Sequence, residues 1–189
     1  MKIYKYIKRI YIWIMRFRYR KGYGVHSPFA FNFITQVIYE NGAYYNYNKL
    51  QNLPQLRYET IKICKFLFRL INYVQPKNVY YKTNKEEITP IFHWVNSAIE
   101  LDVEGDLDLI YLALGDSVEL IESELNNIES RINEDSVLVL YGVAHNREMR
   151  RLWGRLINST KAGVSFDLYD LGVLFFNKNK NKQDYIINF

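Results

Sequence analysis

The feature that most constrains the fold is a strongly apolar segment over 136–141, which reads Ser-Val-Leu-Val-Leu-Tyr. Polar residues flank the run and β-branched valines alternate within it, as in a strand buried on both faces. Residues 107–114 form a second apolar run of strand length, and a helical pattern lies between the two runs. Two buried strands joined by a helix predict a βαβ unit and therefore a parallel sheet.

The rest of the C-terminal half extends this pattern. Residues 78–81 favour a strand, and Thr89-Pro90 is typical of the start of a helix, which we expect to run to about residue 100. Strands predicted over 164–169 and 172–176 are separated by two residues, so we expect them to be antiparallel. A last strand is predicted over 185–189. The fold class is therefore α/β, with a mostly parallel sheet and an antiparallel C-terminal strand pair.

The N-terminal part of the chain is predicted to be helical. A first helix ends at Lys21-Gly22-Tyr23-Gly24, and Ser27-Pro28 marks the start of a second that ends near Glu40. A polar loop over 41–53 precedes a long helix that opens at Pro54 and is stopped by Pro76. We therefore divide the 189 residues into a basic amphipathic helix over 1–21, a helical extension packed on the core over 22–76, and an α/β core over 77–189.

Charge is segregated along the chain. Residues 1–21 hold eight Lys and Arg residues and no acid, and the first acidic residue of the chain is Glu40. Residues 98–135 hold twelve acids and one base, Arg131. The basic segment can meet the phosphates of nucleic acid or lipid. It can equally meet an acidic part of its own chain or of a neighbour, or remain a solvated face.

Residues 1–21 separate into two faces on a helical wheel. One carries the candidate surface-binding residues Lys2, Lys5, Arg9, Arg16 and Arg20, and the other carries Ile3, Ile7, Ile10, Tyr11, Ile14 and Phe17. This helix can dock on the domain, lie on a membrane surface or bind a partner. Because its charges continue past the apolar residues and no small-residue cleavage site follows, we do not expect a signal peptide. We expect a cytoplasmic protein, peripheral at the inner membrane surface under the membrane interpretation.

Few residues suggest catalysis. With one cysteine, Cys64, the sequence has no intramolecular disulfide, and its three histidines are too scattered to predict a metal site. We therefore assign no catalytic and no metal-binding residue. In an open α/β sheet, ligands bind beyond the carboxyl ends of the strands. The turn after the first predicted strand contains no glycine, and the turn after the second contains Gly115. The turn after the third begins Tyr141-Gly142 and includes His145, a candidate general base.

Four segments are similar to a known family. They are Lys-Gly-Tyr-Gly-Val-His-Ser-Pro-Phe at 21–29, the helix at 67–77, the helix at 147–153 and the closing strand pair at 164–176. The chain resembles class I S-adenosylmethionine-dependent methyltransferase-like proteins of Bacteroidetes-type bacteria, in a degenerate and shortened form. The resemblance implies a reduced Rossmann-like fold and, in the active relatives, S-adenosylmethionine as cofactor.

The chain departs from this family where the family binds its methyl donor. The family has a glycine-rich, acid-led turn after its first strand, an aspartate ending its fourth and paired aspartates after its fifth. The segment from Ile99 to Asp106 also lacks the length for two further strand-helix units, which carry the acid that holds the donor's ribose. The degenerate donor-site positions here are Tyr81, Lys82, Thr83, Asn84, Gly115, Tyr141 and Gly142, and Ala113 replaces the fourth-strand aspartate.

These losses predict a non-catalytic relative without a cofactor, which acts through binding surfaces. Its partner would be another protein, a second copy of the chain, or a nucleic acid or membrane surface bound through residues 1–21. The alternative is an active S-adenosylmethionine-dependent methyltransferase with an atypical donor site. The sequence names neither a substrate nor a partner.

Overall fold

The computed structural model describes residues 2–42, 44, 47–51, 58–84, 89–102, 104–115, 117–177 and 181–189. Seven strands of these described residues pair into one sheet. They are β1 (Asn78–Thr83), β2 (Glu100–Leu101), β3 (Leu107–Ala113), β4 (Ile132–Tyr141), β5 (Val164–Asp167), β6 (Leu171–Phe175) and β7 (Gln183–Ile186).

Helices precede or connect most of the strands. They are α1 (Lys2–Met15), α2 (Pro28–Phe33), α3 (Tyr47–Gln51), α4 (Tyr58–Val74), α5 (Pro90–Val95), α6 (Val118–Ile128) and α7 (Arg147–Ile157). A π-helical turn, Ile34–Ile38, continues α2, and single 3-10 turns occur at Phe17–Tyr19 and Glu129–Arg131. The predicted cap at Ser27 is confirmed, because its Oγ accepts the Ala30 N–H at 3.3 Å.

The strand order is β2-β1-β3-β4-β6-β5-β7. The first four strands of this order are mutually parallel, and β6 is antiparallel to both β4 and β5. β7 pairs parallel with β5 at the far edge. The structure thus confirms an α/β fold whose sheet is mostly parallel with an antiparallel strand near the C-terminus, consistent with a Rossmann-like architecture.

Hydrophobic side chains fill both faces of the sheet. On one face Tyr111 and Phe166 lie in a cluster with Phe33, Phe66 and Phe92, which come from α2, α4 and α5. On the other face the cluster joins alternate strand residues such as Ile110 and Leu138 to Ile121 of α6 and Trp153 of α7. This alternation follows from the two-residue repeat of a strand and explains why the central strands are apolar throughout.

A buried arginine fixes the π-helical turn against α4. Arg69 is 7% exposed. Its guanidinium donates to the carbonyls of Val37 at 2.5 Å and Ile38 at 3.1 Å, and to the Tyr47 hydroxyl at 3.2 Å. These bonds satisfy carbonyls that a π-helical turn leaves without regular partners. The N-terminal helices are therefore attached to the sheet by polar contacts as well as by apolar packing.

Several predicted boundaries were wrong. The predicted loop over 41–53 contains α3, and β4 begins at Ile132, four residues before the apolar run, where the helix had been expected to continue. The helix predicted from Thr89-Pro90 to about residue 100 ends at Val95, and the strand β2 follows it, with Glu100 paired to Asn78 and Leu101 to Val79 of β1. The predicted helix start at Pro54 lies outside the described residues.

Candidate functional site

The order of the strands locates the crevice where ligands bind in folds of this kind. From β1 the chain runs to β2 on one side and then to β3 on the other, so the strand order reverses between β1 and β3. The carboxyl ends of these strands, Thr83 and Ala113, are paired neighbours. Ligands of open α/β sheets bind at such a reversal. The degenerate donor-site positions therefore do lie at the edge expected from the sequence.

Side chains rather than bare main chain occupy the first of these turns. Tyr81 is 8% exposed, and its hydroxyl lies 3.0 Å from the Thr89 Oγ1. Its ring stacks on Tyr111 with centroids 5.6 Å apart and meets Phe92 edge-on at 5.0 Å. Tyr81 is thus a core residue. The Lys82 ammonium forms a salt bridge of 3.2 Å with Asp102, so Lys82 is also engaged within the chain.

The ladder of main-chain hydrogen bonds between β1 and β3 extends one residue past the end of β1. The Asn84 N–H donates to the Ala113 carbonyl at 3.1 Å. Across from Asn84, Gly115 has φ +78°, and a Cβ added to Gly115 would lie 3.7 Å from the side-chain amide nitrogen of Asn84. Gly115 thus serves a left-handed turn that non-glycine residues rarely adopt. Residues 85–88 and 116, which complete these turns, lie outside the described residues.

Asp102 is an acidic residue at the crevice that the sequence analysis missed. It follows β2 with a left-handed φ of 55°, and its Oδ1 accepts the Tyr81 N–H at 3.0 Å. An acid at the end of the second strand, about 20 residues after the first turn, is where dinucleotide-binding folds hold a ribose. The spacing from Lys82 to Asp102 was available as a signal, but the two-residue strand before Asp102 carries no recognisable pattern.

The S-adenosylmethionine implied by the resemblance requires close approach of a glycine main chain and a carboxylate available to the ribose hydroxyls. The described first turn offers the side chains of Thr83 and Asn84, and the Asn84 N–H is already bonded. The Asp102 carboxylate accepts one bond from Tyr81 and one from Lys82, and the described first turn places no glycine main chain beside it. The described residues therefore do not fit the donor in the way the family holds it.

The turn after β4 is hydrogen-bonded to the turn between β5 and β6. Gly142 has φ +92°, and its N–H donates to the Asp170 carbonyl at 2.7 Å. A Cβ on Gly142 would lie 3.0 Å from the His145 Nδ1. The ring of Tyr141 meets His145 edge-on at 5.1 Å. Gly142 is thus a turn residue against an exposed histidine, and no described acid takes the position of the family's paired aspartates.

The polar group beneath this crevice with no hydrogen-bond partner is the Tyr111 hydroxyl. It is fully buried and, within the described structure, it makes no hydrogen bond. Burial raises the pKa of Tyr111 well above its usual value, with smaller contributions from Tyr81, Cys64 and Tyr141. The group is therefore a neutral hydroxyl at every physiological pH and a buried polar cost to stability.

Of the alternatives left open for the basic segment, the structure shows contact with acids of the same chain at Arg9 and Arg16. Arg16 binds Asp167 with two parallel bonds of 3.0 Å and also donates to the carbonyls of Asp167 and Ile187. Arg9 pairs with Asp170. These acids lie in the β5–β6 region, outside the acidic stretch over 98–135. α1 is therefore docked across the carboxyl edge of the sheet by its arginines.

The consequence is that α1 presents its apolar side to solvent. Between 50% and 61% of each of six side chains is exposed, namely Ile7, Ile10, Tyr11, Ile14, Met15 and Phe17. An ordinary surface helix buries this stripe against the core. The cations Lys8, Arg18 and Lys21 are exposed around it. We call this set of apolar and basic residues, which continues past the end of α1 at Met15 to Lys21, the outer face of α1.

Lys2 and Lys5 belong to α1, and a further candidate basic residue, Arg20, is partly covered by aromatic rings. The side chains of Lys2 and Lys5 lie outside the described residues. The Arg20 guanidinium lies over the rings of Trp13 and Phe17, at 5.5 and 5.1 Å from their centroids. Such contacts leave the positive charge accessible while orienting it at the end of the outer face.

Two adjoining cavities lie beneath α1. Their volumes are about 380 and 400 Å³, and they share the lining residues Trp13, Lys62, Asn188 and Phe189. The first is bordered by Arg9 and Arg16, and the second by Arg20 and Arg69. These cavities were not foreseen from the sequence, because they depend on how α1 docks.

Comparison of the sequence with known protein families finds no matching family, and a search of curated proteins finds no significant match. In the part of the chain that the structure describes, no helix combines the length and apolar character needed to cross a bilayer. Among the described residues, no group of three or more His, Cys, Asp and Glu side chains is placed to hold a metal ion.

Proposed function

We propose that this protein is a non-catalytic methyltransferase-like domain that binds an anionic membrane surface through the outer face of α1. The observation that carries the proposal is the inverted docking of α1, with Arg9 and Arg16 turned inward while Ile7, Ile10 and Ile14 are exposed. Exposed contiguous apolar residues on a monomer mark an interaction site. A helix with an apolar face bordered by cations is suited to the boundary between lipid headgroups and acyl chains.

Charge favours a membrane over a second copy of the chain as the occupant. Lys8, Arg18 and Lys21 are exposed beside the apolar residues, and no acid precedes Glu40. Two copies of such a face would bring like charges together, which opposes association. An anionic leaflet would attract each exposed cation with about 1 kcal/mol. Trp13 and Tyr11 also belong to the residue types that concentrate at membrane interfaces.

The non-catalytic part of the proposal is supported by the crevice between β1 and β3. The Asn84 N–H is bonded to Ala113, the Tyr81 ring belongs to the core, and no glycine occupies the described part of the first turn. The family resemblance supplies the methyltransferase-like assignment, and the β6 strand, antiparallel between β4 and β5, agrees with the closing strand pair of that family.

The membrane proposal is tested by co-sedimentation with vesicles. Wild-type protein is mixed with vesicles of phosphatidylcholine alone or with one third phosphatidylglycerol. Ile7 and Ile14 are 61% and 58% exposed, so burying each contributes about 1–1.8 kcal/mol. The double variant Ile7→Asp/Ile14→Asp is therefore expected to partition at least about thirtyfold more weakly. The control is Leu120→Asp, because Leu120 is equally exposed, at 55%, but lies on α6.

The result expected is binding of wild type and Leu120→Asp to anionic vesicles, with loss in the double variant. Undiminished sedimentation of the double variant would mean that the apolar residues take no part, and would overturn the proposal. A wild-type protein that ignores vesicles but binds RNA, or forms dimers through α1, would overturn it in favour of those partners.

A second candidate is an active S-adenosylmethionine-dependent methyltransferase with an atypical donor site. The position of Asp102, at the end of the second strand beside the strand reversal, favours it. Titration calorimetry with S-adenosylmethionine and S-adenosylhomocysteine separates the two candidates. Low-micromolar binding that Asp102→Asn abolishes, and that the exposed control Asp135→Asn retains, would support the enzyme. Absence of binding heat in wild type would exclude it.

A further inference from the structure

The cavity of about 380 Å³ beneath α1 has the make-up of a site for an amphiphilic ligand. Its size lies in the range of pockets that hold small organic molecules. Ile12 and Trp13 of α1 face Ile63 of α4 and the Phe189 ring across it. Trp13 is 47% exposed, so this wall continues to the protein surface. A hydrocarbon group could thus enter from the side of the outer face of α1.

Cationic groups converge on this apolar cavity. Arg16 uses its guanidinium on Asp167 and Ile187, and Arg9 is paired with Asp170. Lys62 is different. Its ammonium lies 4.0 Å from the centroid of the Phe189 ring, and no carboxylate of the described residues forms a salt bridge with it. Lys62 therefore brings a positive charge, without a salt-bridge partner among the described residues, to a largely apolar wall that also includes Asp170.

The groups around Lys62 make this charge costly. Burial lowers the pKa of Lys62 to about 8, Asp170 raises it, and Arg9 and Arg69 lower it further. Lys62 is exposed to solvent along part of its surface, so the amine can be reached from outside. A bound anion would remove the repulsion from the two arginines and offset the lost hydration.

We propose that this cavity binds an anionic amphiphile, with Lys62 as the counterion of the acidic head and the wall of Ile12, Trp13 and Ile63 around its hydrocarbon chain. The acidic head can belong to a free fatty acid or to a phospholipid that enters from a bilayer. The site shares Ile10 with the outer face of α1 but otherwise lies beneath the helix. It would exist whether or not the protein binds membranes.

The proposal is tested with soluble monomeric ligands in the absence of vesicles. Dodecanoate, dodecanol and dioctanoyl phosphatidic acid are titrated below their aggregation concentrations, with tryptophan fluorescence and calorimetry as readouts. Dodecanoate is expected to bind wild type with saturation at one ligand per chain, and at least tenfold more tightly than dodecanol. If dodecanoate binds more tightly than dioctanoyl phosphatidic acid, the natural ligand is a free fatty acid. If dioctanoyl phosphatidic acid binds more tightly than dodecanoate, the natural ligand is a phospholipid.

Two variants of Lys62 separate charge from packing. Lys62→Met is expected to weaken dodecanoate binding at least tenfold, whereas Lys62→Arg, which keeps the charge, is expected to stay within threefold of wild type. Lys8→Met, in the exposed part of α1, is the control and should bind as wild type does. The proposal is overturned if no ligand binds, if dodecanol equals dodecanoate, or if Lys62→Met retains full affinity. None of these results depends on vesicle sedimentation.

Discussion

Replacing Arg16 with methionine should release α1 from the domain. The side chains of Arg16 and Asp167 are only 11% and 14% exposed, and two bonds of 3.0 Å join them. Two further bonds, of 3.1 and 3.3 Å, go to the carbonyls of Asp167 and Ile187. Removing one partner of a buried ion pair costs about 3–5 kcal/mol, because the other charge is left buried and unpaired.

Other contacts of α1 are weaker. The Arg9–Asp170 pair is partly exposed, at 36% and 24%, so we expect it to contribute about 1 kcal/mol or less. The Asn188 side chain adds one bond of 3.2 Å to the Trp13 carbonyl. We therefore take about 3 kcal/mol as the loss in docking free energy on Arg16→Met. At 1.4 kcal/mol for each factor of ten, this corresponds to roughly a hundredfold rise in the undocked population.

Hydrogen exchange followed by mass spectrometry measures this population. A helix of 14 residues is marginal in water on its own, so α1 should unfold when it undocks. Amides of α1 in Arg16→Met should then exchange about a hundredfold faster than in wild type, while those of β3 and β4 stay protected. Lys8→Met is the matched control. Equal exchange of α1 in Arg16→Met and wild type would refute the argument that arginines hold the helix.

Two further predictions concern packing and the cavity. Gly172→Ala should lower the free energy of unfolding in urea by about 2 kcal/mol, since a Cβ at Gly172 would lie 2.6 Å from the Trp153 ring. The control is Gly154→Ala in α7, where an added Cβ would have no atom within 4 Å, and this change should raise the free energy of unfolding by up to about 1 kcal/mol. Equal effects of the two substitutions would contradict the account. Dodecanoate affinity should fall as pH rises through the Lys62 pKa of about 8, because the neutral amine no longer attracts the carboxylate. The affinity of Lys62→Arg should show no such fall. A wild-type affinity that does not change with pH would exclude Lys62 as the counterion.

The parts of the fold that the sequence predicts are those with local signals. The apolar runs that form β3 and β4 are continuous, and the predicted cap at Ser27 is confirmed by its Oγ, which accepts the Ala30 N–H at 3.3 Å. The strand β2 was missed because Glu100 and Leu101 alone carry no periodicity. Its existence depends on pairing with β1 through residues more than 20 positions earlier in the chain.

The orientation of α1 was beyond the reach of local reasoning. The helical wheel separates arginines from isoleucines correctly, but it does not say which side meets the domain. That choice depends on Asp167 and Asp170, about 150 residues further along, whose carboxylates the fold gathers at the edge of the sheet. The location of Tyr81, Gly115 and Tyr141 near the carboxyl ends of strands was predictable from the apolar runs that precede them. The engagement of Asp102 with Lys82 and Tyr81 was not.

The depth of α1 in a bilayer tests the central claim most directly. A fluorophore is attached at Ile14→Cys or, as control, at Leu120→Cys, since the native Cys64 is buried. Quenching by lipids that carry a spin label at different acyl positions is then measured in anionic vesicles. We predict strong quenching at position 14, greatest for labels near the headgroup end of the acyl chain, and little at position 120. Equal quenching at both positions, or none at position 14, would contradict membrane binding through the outer face of α1.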